Sequence, residues 1–389
     1  MSTPRYKLLT PGPLTTTATV KQAMLVDHCT WDDDYKSITR DIRRRLLAIA
    51  GVAPASPADP GTYTTVLLQG SGTYGVEAVL SSVVAETDLL LICANGAYGE
   101  RMVEICRWNA IPHVVVRTAH NSVPSADAVE AAFADHPGIT HVAMVHCETT
   151  TGILNEVAPI SAVTRAHGAT FILDAMSSFG AVPIDLTGWG IDYLISSANK
   201  CLQGVPGFVF VIARTAALVA TEHIARSLSL NLYAQWQAME ADGKWRFTSP
   251  TQVVLAFAQA LAEFVEEGGV AVRGARYAEN QRVLTAGMSA LGFRPWLDRA
   301  VQSPIITTFG YPEGVAVDFA DMYGWIKERG YAIYPGKLTE ADTFRIGSIG
   351  EVDADDMRAV CGIVGDYLRE RAGSVGGGDA VEVGQPQLG

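Results

Sequence analysis

Two ionisable side chains, Asp174 and Lys200, each follow an apolar run that is typical of a buried strand. Asp174 comes directly after the apolar residues 171–173, and Lys200 comes shortly after the run 193–197. The carboxyl ends of parallel strands meet at one edge of an α/β sheet, where ligands collect. Lys200 lies 26 positions after Asp174, which leaves room for one strand–connection–strand unit. We therefore expect a carboxylate and an amine at the same edge.

A glycine-rich stretch, Gly70-Ser71-Gly72-Thr73-Tyr74-Gly75, could bind an anion where a strand runs into a helix. Backbone N–H groups and the positive end of a helix dipole attract phosphate there. A dinucleotide site also needs an acidic residue about 20 positions on, but the next strand ends in Cys-Ala-Asn-Gly (93–96) without a carboxylate. The hydroxyls of Ser71 and Thr73 suit a single terminal phosphomonoester. A plain glycine turn is the other interpretation of this motif.

Together the three features fit pyridoxal phosphate. Its phosphate would lie on Ser71, Gly72 and Thr73, and Lys200 would form a Schiff base with its aldehyde. Asp174 would face the pyridine nitrogen and keep it protonated, which makes the ring an electron sink. Lys200 must lose its proton to be nucleophilic, and desolvation or nearby positive charge lowers the pKa of an amine. Taken alone, the pair could also be a structural ion pair or two unrelated surface residues.

The composition is that of an acidic chain with a large core. Of its 389 residues, 48% are hydrophobic and 18% charged, and the net charge is −12. Such a chain can bury enough apolar surface to fold, which excludes disorder for most of its length. The negative charge argues against a broad basic face for nucleic acid or an anionic membrane. Neither a signal peptide nor an apolar run of about 18 residues is evident, so we expect a cytoplasmic protein.

The cysteines and histidines show no metal-ligand spacing. The six cysteines form no C-x-x-C pair, and several lie within apolar runs. Reduced, buried thiols are therefore favoured over a disulfide or zinc framework. The eight histidines contain no H-E-x-x-H motif, so we expect no metal.

Short β-rich runs alternate with helical stretches through the first two thirds of the chain. Strands are predicted at 65–70, 89–95, 113–117, 141–148, 170–176, 193–197 and 207–214. Helices are predicted between most of them, at 76–85, 99–109, 126–134 and 160–165. This alternation predicts an α/β fold with a mostly parallel central sheet, covered by helices on both faces.

A domain boundary is predicted at Gly268-Gly269, where an amphipathic helix over 251–267 ends. Beyond it, predicted helices at 270–290 and 354–370 and strands at 303–309 and 331–334 form a smaller α+β domain. The predicted units are an amino-terminal segment 1–14, a large domain 15–268, a carboxyl-terminal domain 269–372 and a glycine-rich disordered tail 373–389. The Ala- and Pro-rich stretch 52–61 is predicted to be a surface loop.

Over about residues 5–370, the sequence resembles the class V aminotransferases of the pyridoxal-phosphate fold type I. The segments that carry the resemblance include LLQGSGTYGVEAVL (67–80), NGAYGERM (95–102), HCETTTG (146–152), LDAMSSFG (173–180), YLISSANKCLQGVPGF (193–208), KWRFTSPT (244–251) and FRIGSIGEV (344–352). The resemblance implies the fold-type I architecture, pyridoxal 5′-phosphate as cofactor, and Lys200 and Asp174 as catalytic residues.

The resemblance also implies four further cofactor contacts. Tyr98 falls where the family stacks an aromatic ring on the pyridine face, and Met176 where a side chain packs on the opposite face. Thr149 falls where a hydroxyl contacts the ring side of the cofactor. Asn199 belongs to the S-x-N-K motif that places the lysine. Taken alone, an aromatic residue such as Tyr98 is equally typical of ordinary packing.

Two more positions concern a second subunit and the substrate. Thr248 falls where a threonine of the neighbouring subunit reaches the cofactor phosphate, which implies a homodimer. Arg345 falls at the arginine that binds the substrate anion, although its apolar neighbours also suit a structural cation. The runs CTWDDDY (29–35) and RSLSLNLYAQW (226–236) resemble the branch that transfers the amino group of 2-aminoethylphosphonate to pyruvate.

Other functions stay open at this point. The first alternative is an alanine– or serine–glyoxylate (or –pyruvate) aminotransferase on the same scaffold. A desulfurase or lyase is disfavoured because no cysteine is recognisably set on a catalytic loop. A pyridoxal-phosphate-binding regulator would need a DNA-binding module that neither terminal segment suits. An NAD-dependent dehydrogenase is the remaining interpretation of the glycine motif.

Overall fold

The computed structural model describes residues 6–53, 61–336, 338 and 341–370. The predicted tail at 373–389 lies outside the described residues, as do residues 54–60 of the predicted loop and residues 1–5. The strands are β1 (Lys7–Leu8), β2 (Tyr63–Gln69), β3 (Leu89–Ala94), β4 (His113–Arg117), β5 (Ile139–Val145), β6 (Cys147–Glu148), β7 (Ile153–Leu154), β8 (Thr170–Asp174), β9 (Tyr193–Ser197), β10 (Phe208–Arg214), β11 (Arg294–Pro295), β12 (Ile306–Gly310), β13 (Tyr331–Ala332), β14 (Tyr334–Pro335) and β15 (Thr343–Gly347). The helices are α1 (Ala18–Gln22), α2 (Asp33–Ile49), α3 (Gly72–Val83), α4 (Ala97–Trp108), α5 (Ala126–Asp135), α6 (Val157–Ala166), α7 (Thr215–Val219), α8 (Leu232–Asp242), α9 (Thr251–Glu267), α10 (Gly269–Ala290), α11 (Phe319–Glu328) and α12 (Ala354–Glu370).

The central sheet has the strand order β2-β10-β9-β8-β5-β3-β4. The five strands from β9 to β4 pair in parallel, and β10 is antiparallel to both of its neighbours. Most residues of these strands are buried, as the near-continuous apolar runs predict for a sheet covered on both faces. The prediction of an α/β fold with a mostly parallel sheet is confirmed.

The strand predicted at 141–148 is wrong at both ends. β5 runs from Ile139 to Val145, and the His146 amide then donates to the Asp174 carbonyl oxygen at 2.8 Å. The next residues turn into a separate two-stranded pair, β6 with β7. This turn carries residues 147–152 across the carboxyl end of the sheet, where ligands collect.

A second, antiparallel sheet with the order β11-β12-β15-β14 follows α10. Its core contains the aromatic side chains Phe293 and Phe309, which contact Phe344 edge-on and in a tilted arrangement, respectively. The short strand β1 pairs in parallel with β13, so Lys7 and Leu8 lie against this part of the fold. Helix α9 ends at Glu267 and is capped by Gly268 in the left-handed conformation (φ +110°); the domain boundary placed there stays a prediction.

Three general features of the described residues bear on function. None of the described helices combines the length and apolar character that a membrane crossing requires. All six cysteines are free thiols; Cys29 is exposed and the other five are buried. Within the described part of the chain, no group of three or more His, Cys, Asp or Glu side chains could hold a metal ion.

Candidate active site

A cavity of about 920 Å³ opens at the carboxyl edge of the central sheet. Nine of the predicted site residues line it: Ser71, Gly72, Thr73, Tyr98, Asp174, Met176, Asn199, Lys200 and Thr248. The other two, Thr149 and Arg345, are not among the described lining residues, and they contact each other. The volume lies in the range of small-molecule and cofactor sites.

The glycine-rich stretch forms the amino terminus of α3. Gly70 adopts φ +127°, a conformation that favours glycine, and its amide donates to the Gly207 carbonyl at 3.0 Å. Ser71 precedes the first helical residue in an extended conformation. Among the described residues, no acceptor is found for the amides of Gly72 and Thr73. These N–H groups and the helix dipole make the stretch a cradle whose shape and polarity suit an anion.

Met176 closes one side of this cradle. A Cβ atom added to Gly72 would lie 2.5 Å from the Met176 sulfur, so any other residue here would displace the Met176 side chain. Met176 follows β8 by two residues, and its amide donates to Oδ1 of Asp174 at 2.8 Å. The cradle and the end of β8 are therefore held together directly.

Asp174 ends β8 and is 5% exposed. Burial raises the pKa of its carboxyl group from 3.8 to about 7, against the opposing effect of the Met176 amide. The nearby Glu148 charge raises it further, and Lys200 and Arg101 lower it. In the described structure, no ion pair joins Asp174 to Lys200. The interpretation of these two residues as a structural ion pair is therefore wrong. A carboxylate in this state is stabilised by any cation that enters the cavity.

Lys200 lies in the turn that follows β9. Its Nζ donates to the Pro11 carbonyl at 3.0 Å, and a Cβ atom at Gly12 would come within 2.6 Å of it. Burial lowers the pKa of the Lys200 amine, and neighbouring groups such as Tyr98 and Asp174 oppose this. The environment therefore favours a neutral, nucleophilic amine.

Tyr98 lies in the first turn of α4, which Glu148 anchors. Glu148 is fully buried, and its Oε2 accepts hydrogen bonds from the amides of Tyr98 (3.0 Å) and Gly99 (3.2 Å). Its Oε1 accepts from the amide (3.1 Å) and the hydroxyl (2.6 Å) of Thr150. Glu148 was not predicted as a site residue. A carboxylate in the HCETTTG run was visible in the sequence, but its position at a helix amino terminus was not.

Arg345 lies on β15 and is 4% exposed. Its Nη1 donates to the Thr149 carbonyl at 2.8 Å and its Nε to the Pro335 carbonyl at 3.0 Å. Burial lowers the pKa of the guanidinium, and the nearby Tyr98, Tyr334 and Glu148 oppose this. No carboxylate of the described chain pairs with Arg345. The remaining N–H groups of its Nη atoms are therefore available for an anion.

Pyridoxal 5′-phosphate fits the residues that are present. The unsatisfied amides of the cradle suit its phosphate, and the Lys200 amine, whose pKa burial lowers, suits its aldehyde. The buried Asp174 carboxylate, whose one hydrogen bond from the described protein is that of Met176, suits a protonated ring nitrogen. Tyr98 and Met176 line the space between these groups.

The family model for class V aminotransferases matches residues 59–340 of this sequence. The chain belongs to this family. It is therefore an aminotransferase that depends on pyridoxal 5′-phosphate, as the resemblance implies.

Relatives with high identity carry a more specific name. A protein of Lysinibacillus sphaericus named 2-aminoethylphosphonate–pyruvate transaminase is 54% identical over 93% of this chain and 97% of its own length. Proteins with the same name from Lactiplantibacillus plantarum (54%; 93% and 98%) and Klebsiella pneumoniae (53%; 95% and 99%) are similar over equally large shares.

Two solved structures have the same fold. Pyridoxamine–pyruvate aminotransferase from Mesorhizobium loti gives a TM-score of 0.84 at 22% identity, over 94% of this chain and 93% of that chain. Alanine–glyoxylate aminotransferase from Nostoc sp. gives 0.85 at 23% identity, over 95% and 97%. At these identities the comparison establishes the fold-type I architecture.

Proposed function

We propose that this aminotransferase transfers the amino group of 2-aminoethylphosphonate to pyruvate, which gives phosphonoacetaldehyde and L-alanine. The observation that carries the proposal is 54% identity over 93% of the chain to a transaminase named for these two substrates. The site supports it, because a buried guanidinium without a carboxylate partner in the described chain suits substrates that are anionic at one end.

Asp174 and the cradle at Ser71, Gly72 and Thr73 hold the cofactor. When bound, pyridoxal phosphate carries the amino group and withdraws electrons from the amine-bearing carbon of the substrate. Asp174 supplies the negative charge that keeps a ring nitrogen protonated. Its pKa of about 7 without a partner means that it gains stabilisation from a positive charge beside it.

Lys200 moves the proton. With the cofactor bound, its Nζ would take the proton from the amine-bearing carbon of the donor and return it to the C4′ carbon of the cofactor in the same half-reaction. For this the amine must be neutral, and burial of Lys200 lowers its pKa in that direction. The hydrogen bond to the Pro11 carbonyl orients Nζ at the edge of the cavity.

Arg345 binds the substrate anion. Two of its N–H groups are fixed by the Thr149 and Pro335 carbonyls, which orients the guanidinium plane. The free edge of the fork can bind the carboxylate of pyruvate or the phosphonate of the donor, because both offer paired oxygens. One residue thus serves both half-reactions, which requires ping-pong kinetics.

The enzyme acts in the cytoplasm as a homodimer in which Thr248 reaches the neighbouring subunit's cofactor phosphate. Thr248 lines the cavity of its own chain. Its contact with the cofactor phosphate of a second chain stays a prediction. Mixing inactive Lys200→Ala chains with Thr248→Ala chains tests it. If Thr248 serves the neighbour, mixed dimers contain one site that lacks both groups and one intact site, and activity returns.

A donor and acceptor panel tests the proposed function. Purified enzyme is supplied with 2-aminoethylphosphonate, L-alanine or L-serine as donor, and with pyruvate or glyoxylate as acceptor. The proposal requires the highest kcat/KM for 2-aminoethylphosphonate with pyruvate and equal amounts of phosphonoacetaldehyde and L-alanine. A preference for alanine or serine with glyoxylate would instead establish the alternative function.

A further inference from the structure

Arg101 lines the cofactor cavity and belongs to no function assigned above. It lies on α4 one helical turn after Tyr98, so both side chains project from the same face. Its Cζ lies 5.0 Å from the centre of the Tyr98 ring, a cation–π distance. Its Nη1 donates to the hydroxyl of Thr73 at 3.3 Å. Arg101 therefore connects the predicted ring-stacking residue to the anion cradle.

The guanidinium of Arg101 has no carboxylate partner among the described residues. Other arginines of the fold do: Arg117 pairs with Glu100 at 2.8 Å, and Arg276 pairs with Glu267 at 2.8 Å. Arg101 is half-buried, and within the described chain it makes a single hydrogen bond, to the neutral hydroxyl of Thr73. A guanidinium has five N–H donors, and most of those of Arg101 are left for a ligand.

The charges of the cavity identify that ligand as an anion. Among its described lining residues, the charged side chains are Asp174, Lys200 and Arg101. Burial lowers the pKa of the Lys200 amine, which shifts this amine toward its neutral form. Arg101 is therefore the permanent cation beside the cradle, and a tetrahedral dianion placed there needs such a charge.

We propose that Arg101 binds a tetrahedral phosphorus dianion in this cavity through a charge-assisted hydrogen bond. Two such groups enter the site: the phosphate of the cofactor and the phosphonate of the donor. The contact with the Thr73 hydroxyl favours the cofactor phosphate, because Thr73 belongs to the cradle. Arg101 thus adds a full positive charge to the partial positive charge that the amino terminus of α3 places beside the phosphate.

Comparing a phosphorylated with an unphosphorylated ligand tests the proposal. Apparent dissociation constants of pyridoxal 5′-phosphate and of pyridoxal are measured for the wild type, Arg101→Gln and Arg101→Lys. Arg107→Gln is the matched control, since Arg107 is an exposed arginine of the same helix. Losing one charge-assisted hydrogen bond should weaken binding of pyridoxal 5′-phosphate by about 10-fold to 100-fold. Pyridoxal binding should be unchanged, and Arg101→Lys should recover part of the loss.

A second measurement distinguishes the donor phosphonate as the source. The rate constants for the reaction of the cofactor-loaded enzyme with 2-aminoethylphosphonate and with L-alanine are compared in the same variants. A loss confined to 2-aminoethylphosphonate, with normal cofactor affinity, would assign Arg101 to the phosphonate. This arm rests on the proposed function, whereas the cofactor arm does not, so the two can fail separately.

Two results would overturn the proposal. Equal weakening of pyridoxal and pyridoxal 5′-phosphate would show that Arg101 acts by supporting the Tyr98 ring and not by binding an anion. Unchanged constants for both cofactor forms and both donors would show that it binds neither group. The pyridoxal constant also reports whether the substituted site still folds.

Discussion

The stability of the cofactor-free protein should depend on pH through Asp174. Burial raises the pKa of this carboxyl group from 3.8 to about 7 in the folded chain. Because the folded state then binds the proton more tightly than the unfolded state, stability is greatest at low pH and falls as pH rises through this interval. The full difference corresponds to about 4 kcal/mol. About 2–3 kcal/mol of it falls between pH values near 5 and near 8.

Asp174→Asn should remove this dependence. An asparagine can still accept the hydrogen bond from the Met176 amide, so the end of β8 keeps its conformation. Urea unfolding of both cofactor-free proteins near pH 5 and near pH 8, at one protein concentration, gives the four free energies of unfolding. The variant should gain about 2–3 kcal/mol relative to the wild type on going to the higher pH. Other titrating groups are common to both proteins and cancel in this comparison.

The control is Asp135→Asn, which changes an exposed carboxylate at the end of α5. It should leave the pH dependence of the wild type intact. If the difference between the wild type and Asp174→Asn were the same at both pH values, Asp174 would not carry an elevated pKa. The view that burial destabilises the Asp174 carboxylate, so that a cation in the cavity stabilises it, would then be refuted.

Three further substitutions test the other parts of the site. Glu148→Gln turns an amide NH₂ toward hydrogen-bond donors, so we expect a loss of about 1–3 kcal/mol in the free energy of unfolding; an unchanged urea midpoint would contradict the anchoring of α4. Arg345→Lys keeps a charge but cannot hold the Thr149 carbonyl and a substrate anion together, so KM for 2-aminoethylphosphonate should rise about tenfold or more with normal cofactor affinity. An unchanged KM would move the anion site elsewhere. Lys200→Ala should abolish turnover and the absorbance of lysine-bound pyridoxal, and retained transamination would refute the proton-transfer assignment.

The sequence predicted the edge of the sheet and the residues that lie there because strand periodicity is local. The runs before Asp174 and Lys200 are apolar because their strands are covered on both faces, and the α/β alternation places their ends together. Helices such as α2 and α8 were not predicted. Their buried faces carry residues such as Lys36 and Gln235, whose burial depends on partners in other elements.

The contacts made by Glu148 and Arg101 depend on tertiary structure. Glu148 lies 50 residues from the Tyr98 amide that it binds, and the intervening strand order decides that they meet. Arg101 follows Tyr98 by one helical turn, so the helical repeat alone predicts that both side chains lie on the same face of α4. Its contact with Thr73 was not, because that contact joins α4 to α3 across the cavity.

The central claim is that Lys200 holds a pyridoxal phosphate that accepts the amino group of 2-aminoethylphosphonate. The absorption spectrum of the purified, cofactor-loaded protein, recorded before and after this donor is added, tests it most directly. We predict that the band of lysine-bound pyridoxal is replaced by that of the pyridoxamine form, and that pyruvate restores the first spectrum. A spectrum that does not respond to 2-aminoethylphosphonate but responds to alanine or serine would contradict the account.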